Sequence, residues 1–142
     1  MGEVSENLKL LGEYSDRMAE GDAKAVYDFF SDDFMSHVTG RVNPDAVDTD
    51  IRGHEVEYWN EARAAFPDMD FRVDLLIEKD NLVVSNWTIT GTHTGEPFFD
   101  VPPSGQPVEI NGTAILRLRD GKIVEHWGGP HCQKGYGLIQ PG

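Results

Sequence analysis

The amino-terminal part of the chain carries apolar residues at the spacing of an α-helix. Between residues 4 and 20, apolar and aromatic side chains recur about every 3.6 residues, which predicts a helix with one buried face. Gly21 ends this helix, and Asp22 is a candidate N-cap for a short second helix over residues 23–30. The chain is therefore expected to begin with two packed helices.

A third helix is predicted over residues 53–66, and Pro67 ends it. One stripe of this helix is apolar and comprises Val56, Trp59, Ala62 and Phe66. The preceding segment, residues 39–50, has no periodicity and contains glycine, proline and acidic residues. It is interpreted as a surface loop, with a flap over a pocket as the alternative.

After Pro67 the pattern changes to the alternation of apolar and polar residues that is typical of β-strands. Four strands are predicted, over residues 71–78, 82–93, 108–118 and 122–127. Asp120 and Gly121 form a strong hairpin signal between the last two. Because no helix separates these strands, the sequence predicts an antiparallel sheet and the α+β class.

The alternation also assigns side chains to the two faces of the sheet. The apolar face of the first strand carries Phe71, Val73, Leu75 and Ile77. In the second strand Trp87 and His93 share a face. A flat opposite face carries Val84, Asn86, Thr88, Thr90 and Thr92. In the last hairpin Arg117 and Glu125 are expected to form a cross-strand ion pair. By the same alternation, His126 lies on the outward face with Lys122 and Val124 and is expected to be exposed.

Composition narrows the class of protein. A length of 142 residues with 39% hydrophobic content fits one domain over residues 1–142. The net charge of -13 argues against binding to nucleic acid or to anionic membranes. The single cysteine, Cys132, cannot form an intramolecular disulfide, and the amino terminus lacks the features of a signal peptide. A cytoplasmic protein without a membrane segment is expected.

Four short motifs, together with the order of helices and strands, resemble the SnoaL-like polyketide cyclases of the NTF2-like superfamily. They are AAFPD at residues 64–68, GTHTG at 91–95, PPSG at 102–105 and DGKIVEHW at 120–127. The resemblance implies a cone, in which three N-terminal helices wrap a curved antiparallel sheet around an interior cavity. It also implies a homodimer, because relatives of this fold commonly pair through the outer face of the sheet.

The resemblance points to a catalytic position near the carboxyl end. In the cyclases an aspartate four residues beyond the position of Trp127 is the acid/base, and here that position holds His131. A histidine can accept a proton near neutral pH, so His131 is the candidate base, unless it is only a polar residue at a strand end. His93 is the candidate second acid/base or hydrogen-bond donor. The alternative for His93 is a structural histidine bonded to the backbone.

Further residues are candidates for contact with a substrate. The cone has an interior cavity that aromatic residues line in the resembled family, although each tryptophan taken alone could be a core residue. The substrate-binding candidates are His37, Trp59, Trp87, Asn111 and Trp127.

These features predict a cofactor-independent acid/base enzyme that acts on a hydrophobic carbonyl compound and resembles the polyketide cyclases. No cofactor is expected, because phosphate-binding glycine loops are absent. No metal is expected, because the histidines and Cys132 lack the spacing of the common metal motifs. The alternatives are a non-catalytic module that binds a small molecule, and an enzyme like the epoxide hydrolases or isomerases of the same fold.

Overall fold

The computed structural model describes residues 5–37, 51–98 and 100–134, with side chains up to residue 129. Within these ranges the chain forms three α-helices and one five-stranded sheet. The α+β class and the helix-wrapped curved sheet predicted from the sequence are confirmed. The predicted loop over residues 39–50 lies outside the described residues.

The three predicted helices are present; the first two are shorter than predicted, and the third begins two residues earlier and ends one residue earlier. They are α1 (Glu6–Ala19), α2 (Ala25–Phe29) and α3 (Ile51–Ala65). Ser5 caps α1, since its side chain accepts a hydrogen bond from the backbone N–H of Leu8 at 3.1 Å. The predicted N-cap of α2 was wrong. Lys24 occupies the cap position without a side-chain bond, and the Asp22 carboxylate instead accepts two hydrogen bonds from Arg17.

The sheet contains the four predicted strands, of which the last extends seven residues beyond its predicted end, and one that the sequence did not indicate. The strands are β1 (Phe30–Ser36), β2 (Asp70–Lys79), β3 (Leu82–Thr92), β4 (Pro107–Arg119) and β5 (Lys122–Lys134), in the order β1-β5-β4-β3-β2. Strands β2 to β5 are antiparallel, as predicted. Strand β1 pairs with β5 in parallel, so the sheet is not antiparallel throughout. Strand β1 lies at the edge of the sheet and buries only Phe30 and Phe34. Its sequence therefore lacks the alternation of apolar and polar residues that would have predicted a strand.

A bulge in β2 reverses the predicted face of its second half. Val73 pairs with Trp87, and Leu75 pairs with the adjacent Asn86 of β3. Asp74 is therefore an extra residue of β2. Beyond the bulge Leu75 and Ile77 are 51% and 53% exposed. The prediction that both lie on the buried face was therefore wrong, because one inserted residue moves every later side chain to the other face.

The helices and the inner face of the sheet enclose the core. Trp59 of α3 packs edge-on against Phe71 of β2 with ring centroids 4.9 Å apart. The outer face carries the expected ion pair, in which Arg117 Nε donates to Glu125 Oε1 at 3.0 Å. The homodimer expected through this outer face stays a prediction. Among the described residues, no helix has the length and apolar content needed to cross a membrane.

Candidate active site

A partly open cavity of about 90 Å³ lies between α1, α3 and the inner face of the sheet. Most of the side chains that line it are aliphatic or aromatic, and they come from both helices and from β1 to β5. The lining residues with hydroxyl, carboxylate or imidazole groups are Tyr14, Ser15, Glu55, Tyr58, Ser85 and His126. A pocket with apolar walls and a few polar groups is the usual form of a small-molecule site.

A glycine shapes one aromatic wall of the cavity. Trp87 of β3 pairs directly with Gly112 of β4, and both Trp59 and Trp87 line the cavity. A Cβ atom at position 112 would lie 2.2 Å from Cζ2 of Trp87. The glycine is needed because the indole ring lies across the backbone of the neighbouring strand.

His126 and Glu55 form a polar pair inside the cavity. The Nδ1 atom of His126 lies 3.5 Å from Oε1 of Glu55, and the two side chains are 17% and 13% exposed. The expectation that His126 is exposed was wrong. Arg117 pairs with Glu125, and Leu118, the next residue of β4, pairs with Ile123. Val124 is therefore an extra residue of β5, and this bulge moves His126 to the inner face of the sheet.

Tyr14 of α1 places a hydroxyl group in the same cavity. Burial raises the pKa of Tyr14 well above its ordinary value, and the nearby Glu55 carboxylate raises it further. The nearby indole of Trp59 acts in the opposite direction and lowers the pKa of Tyr14, but burial outweighs it. The phenol therefore keeps its proton at neutral pH and can donate a hydrogen bond to an oxygen atom of a ligand.

The structure places His93 away from this cavity. The residue is fully buried, and its ring packs edge-on against Phe66 with centroids 5.1 Å apart. Its Nε2 atom lies 2.9 Å from the carbonyl oxygen of Glu96. These contacts to the backbone and to a core ring are those of a structural histidine.

His37 and Trp127 lie together but outside the cavity. Their rings stack with centroids 4.9 Å apart, and Nε2 of His37 lies 2.8 Å from Oε2 of Glu125. Neither residue lines the cavity. Trp59 and Trp87 are thus the predicted tryptophans that the structure brings to the site.

Asn111 also faces away from the cavity. Its side-chain amide donates to the carbonyl oxygen of Trp87 at 2.8 Å and lies 3.1 Å from the Thr88 hydroxyl. His131 falls in β5 between Pro130 and Cys132, where the pairing with β4 shifts by one residue. Its side chain lies outside the described part of the structure.

The sequence interpretation missed three groups of the site, namely Tyr14, Glu55 and His126. A signal for Glu55 was present, because it precedes Trp59 by four residues and so shares a face of α3 with it. His126 lies within the DGKIVEHW motif. No pattern in the sequence indicated that a residue of α3 and a residue of β5 would meet.

The described residues also bear on an epoxide hydrolase site and on a metal site. The epoxide hydrolases of this fold are expected to carry an Asp-Arg-Asp cluster in the site. Arg17 bonds Asp22 and Asp28 at 2.6 Å each, but these side chains are 35%, 42% and 61% exposed and do not line the cavity. Over the described ranges, no group of three or more His, Cys, Asp or Glu side chains is arranged to hold a metal ion.

Comparison with known proteins agrees with this architecture. Residues 9–131 match the family model of the SnoaL-like polyketide cyclases. AclR of Streptomyces galilaeus, a proposed hydroxylase, is 26% identical with a TM-score of 0.74, and the match covers 89% of this chain and 79% of AclR. IdmH of Streptomyces antibioticus, a proposed polyketide cyclase, is 27% identical with a TM-score of 0.73, and the match covers 89% and 92% of the two chains.

A proposed polyketide cyclase of Acidithiobacillus ferrooxidans has the same fold, with 22% identity, a TM-score of 0.71 and coverage of 97% and 94%. No significant match was found among curated proteins. Since the family model spans most of the sequence and the solved relatives share the fold, the chain belongs to the SnoaL-like polyketide cyclase family.

Proposed function

We propose that this chain is an acid/base enzyme that removes a proton next to the carbonyl group of a hydrophobic small molecule, using its own side chains and no cofactor. The observation that supports this proposal is the His126–Glu55 pair inside an otherwise apolar cavity. An imidazole beside a carboxylate, shielded from water, is a common arrangement for proton transfer. Membership of a cyclase family is consistent with such chemistry.

Each polar group has a distinct role in the proposed reaction. Nδ1 of His126 faces Glu55, which leaves Nε2 to take the proton from the carbon atom next to the carbonyl. The electron pair of the broken C–H bond forms an enolate, and the Tyr14 hydroxyl donates a hydrogen bond to its oxygen. Glu55, whose Oε1 lies 3.5 Å from Nδ1 of His126, orients the imidazole. A positioned base contributes about 10² to 10⁴ in rate, and a donor to the oxyanion contributes on the order of 10² to 10³.

The proposal is tested by the incorporation of solvent deuterium into ketones of graded size, followed by NMR. Suitable probes are cyclohexanone, a single small ring that suits a cavity of about 90 Å³, and 2-indanone, whose two fused rings test the upper size limit. The wild-type protein should exchange the protons next to the carbonyl faster than buffer does. A protein that binds these ketones without exchanging their protons is a binding module, and that result would overturn the proposal.

Two carboxylates on the same helix provide a matched pair of variants. Glu55→Gln should lower kcat for exchange at least about tenfold with little change in KM, because the imidazole loses its orienting partner. Glu57→Gln is the control, since Glu57 is 72% exposed and lies 3.7 Å from His54 on the surface. Equal effects of the two substitutions would remove Glu55 from the mechanism.

A further inference from the structure

A groove of about 500 Å³ runs between α1 and β2 beside the cavity. Groove and cavity share four lining residues, namely Ser15, Phe71, Val73 and Leu76, so the two spaces adjoin. The cavity of about 90 Å³ is smaller than the roughly 150 Å³ of an engineered protein cavity that binds benzene. A ligand larger than one small ring must therefore extend beyond the cavity, and the groove is the space next to it.

Gly12 lies in the middle of α1 and lines this groove. A glycine inside a helix is less favourable than alanine by about 1 kcal/mol. No described atom lies within 4 Å of the position that its Cβ would occupy, so close packing does not explain the glycine. At Gly95 and Gly128, by contrast, an added Cβ would overlap the backbone. The effect of the glycine at position 12 is to leave the groove open on the helix side.

The walls of the groove carry negative charge. Asp16 of α1 is exposed, and Asp74 is the bulge residue of β2. Hydrogen bonds from the Thr88 hydroxyl at 2.6 Å and from Arg72 Nε at 2.7 Å lower the pKa of Asp74, which keeps it ionised at neutral pH. The groove is thus lined by two carboxylates, of Asp16 and Asp74, and by one guanidinium, of Arg72. Because the chain also has a net charge of -13, the groove disfavours an anionic ligand.

We propose that this groove is a second binding subsite, which holds the outer part of a substrate whose carbonyl end occupies the cavity. The outer part carries hydrogen-bond donors, as hydroxyl or ammonium groups, and no carboxylate or phosphate. Only one part of this proposal, that the end of the substrate in the cavity carries a carbonyl group, rests on the proposed function.

The test measures binding by calorimetry, independently of any reaction. The probes are cyclohexanone and three derivatives with a flexible tail on the ring carbon opposite the carbonyl, ending in a hydroxyl, an ammonium or a carboxylate. With the wild-type protein, the hydroxyl and ammonium tails should each lower Kd at least about tenfold, as expected for one or two added hydrogen bonds. The carboxylate tail should give no gain. Equal affinity of all four probes, or tightest binding of the carboxylate, would overturn the proposal.

Two substitutions at Gly12 separate the groove from the cavity. A Cβ at position 12 meets no described atom outside its own helix backbone, so Gly12→Leu should fill part of the groove and bring the Kd of the tailed ketones to that of cyclohexanone. Gly12→Ala is the control and should bind like the wild type. Both changes favour the helix, so thermal melting should show a folded protein. Weaker binding of cyclohexanone itself in Gly12→Leu, or unchanged binding of the tailed probes, would contradict the subsite.

Deuterium incorporation into cyclohexanone distinguishes failure of the subsite from failure of the proposed function. If tail-dependent binding is present but no proton is exchanged, the groove proposal stands and the acid/base proposal fails. If exchange occurs but the tails add no affinity, the enzyme proposal stands and the groove proposal fails.

Discussion

The substitution Gly112→Ala tests the aromatic wall of the cavity. The new Cβ would lie 2.2 Å from Cζ2 of Trp87 and 2.7 Å from the carbonyl oxygen of Gly129, so either the indole or the strand must move. Replacing a strand glycine would otherwise stabilise the protein by about 0.5–1 kcal/mol. Overpacking of this kind costs about 1–3 kcal/mol. The net expectation is a loss of about 1–2 kcal/mol in the free energy of unfolding.

The assay is urea unfolding followed by circular dichroism and tryptophan fluorescence. Gly12→Ala is the matched control, because its Cβ meets no described atom, and it should raise the free energy of unfolding by up to about 1 kcal/mol. In the double variant Gly112→Ala, Trp87→Phe the smaller ring should relieve part of the overlap, with a coupling energy of at least about 0.5 kcal/mol. Wild-type stability of Gly112→Ala, or additive effects in the double variant, would refute this packing argument.

Three further predictions concern single side chains. Tyr14→Phe should lower kcat for ketone exchange by about 10² to 10³ with little change in KM, since the ring is kept and the donor is lost; an unchanged kcat would exclude this role. Hydrogen bonds from the backbone N–H and the hydroxyl of Thr92 lower the pKa of Asp68 in the folded protein. The contribution of Asp68 to the free energy of unfolding should therefore be present above the unfolded pKa of about 4 and disappear as the pH falls through the lower pKa of the folded state. The difference in Tm between the wild type and Asp68→Asn should accordingly shrink below about pH 4, and a constant difference down to pH 2 would contradict it. His131→Ala should keep most of the exchange rate because His126 is the proposed base, and a loss of at least about 10² would return that role to His131.

Elements with strong periodicity could be predicted from the sequence. The helices α1 and α3 and the strands β3 and β4 each show one clear period over ten or more residues, and β2 and the first part of β5 show a shorter alternation. Strand β1 was missed because it is an edge strand whose polar run faces solvent. The bulges at Asp74 and Val124 also could not be read from alternation, since each inserts one residue and reverses the faces that follow.

The candidate site could be predicted only in part. Trp59 and Trp87 were recognised as wall residues, because an interior cavity lined by aromatic residues follows from the fold. The pairing of Glu55 with His126 depends on how α3 lies across β5, and therefore on tertiary structure. The resemblance directed attention to His131, while the bulge at Val124 turned a different histidine of the same strand into the cavity.

The most direct test of the acid/base proposal compares two histidine variants in the deuterium-incorporation assay. His126 lies in the cavity beside Glu55, whereas His54 forms a similar pair with Glu57 at the surface, with Nδ1 and Oε2 3.7 Å apart. His126→Gln should lower kcat for ketone exchange by at least about 10² while the Kd of the ketone stays within about threefold, and His54→Gln should match the wild type. Exchange at the wild-type rate in His126→Gln would contradict the account.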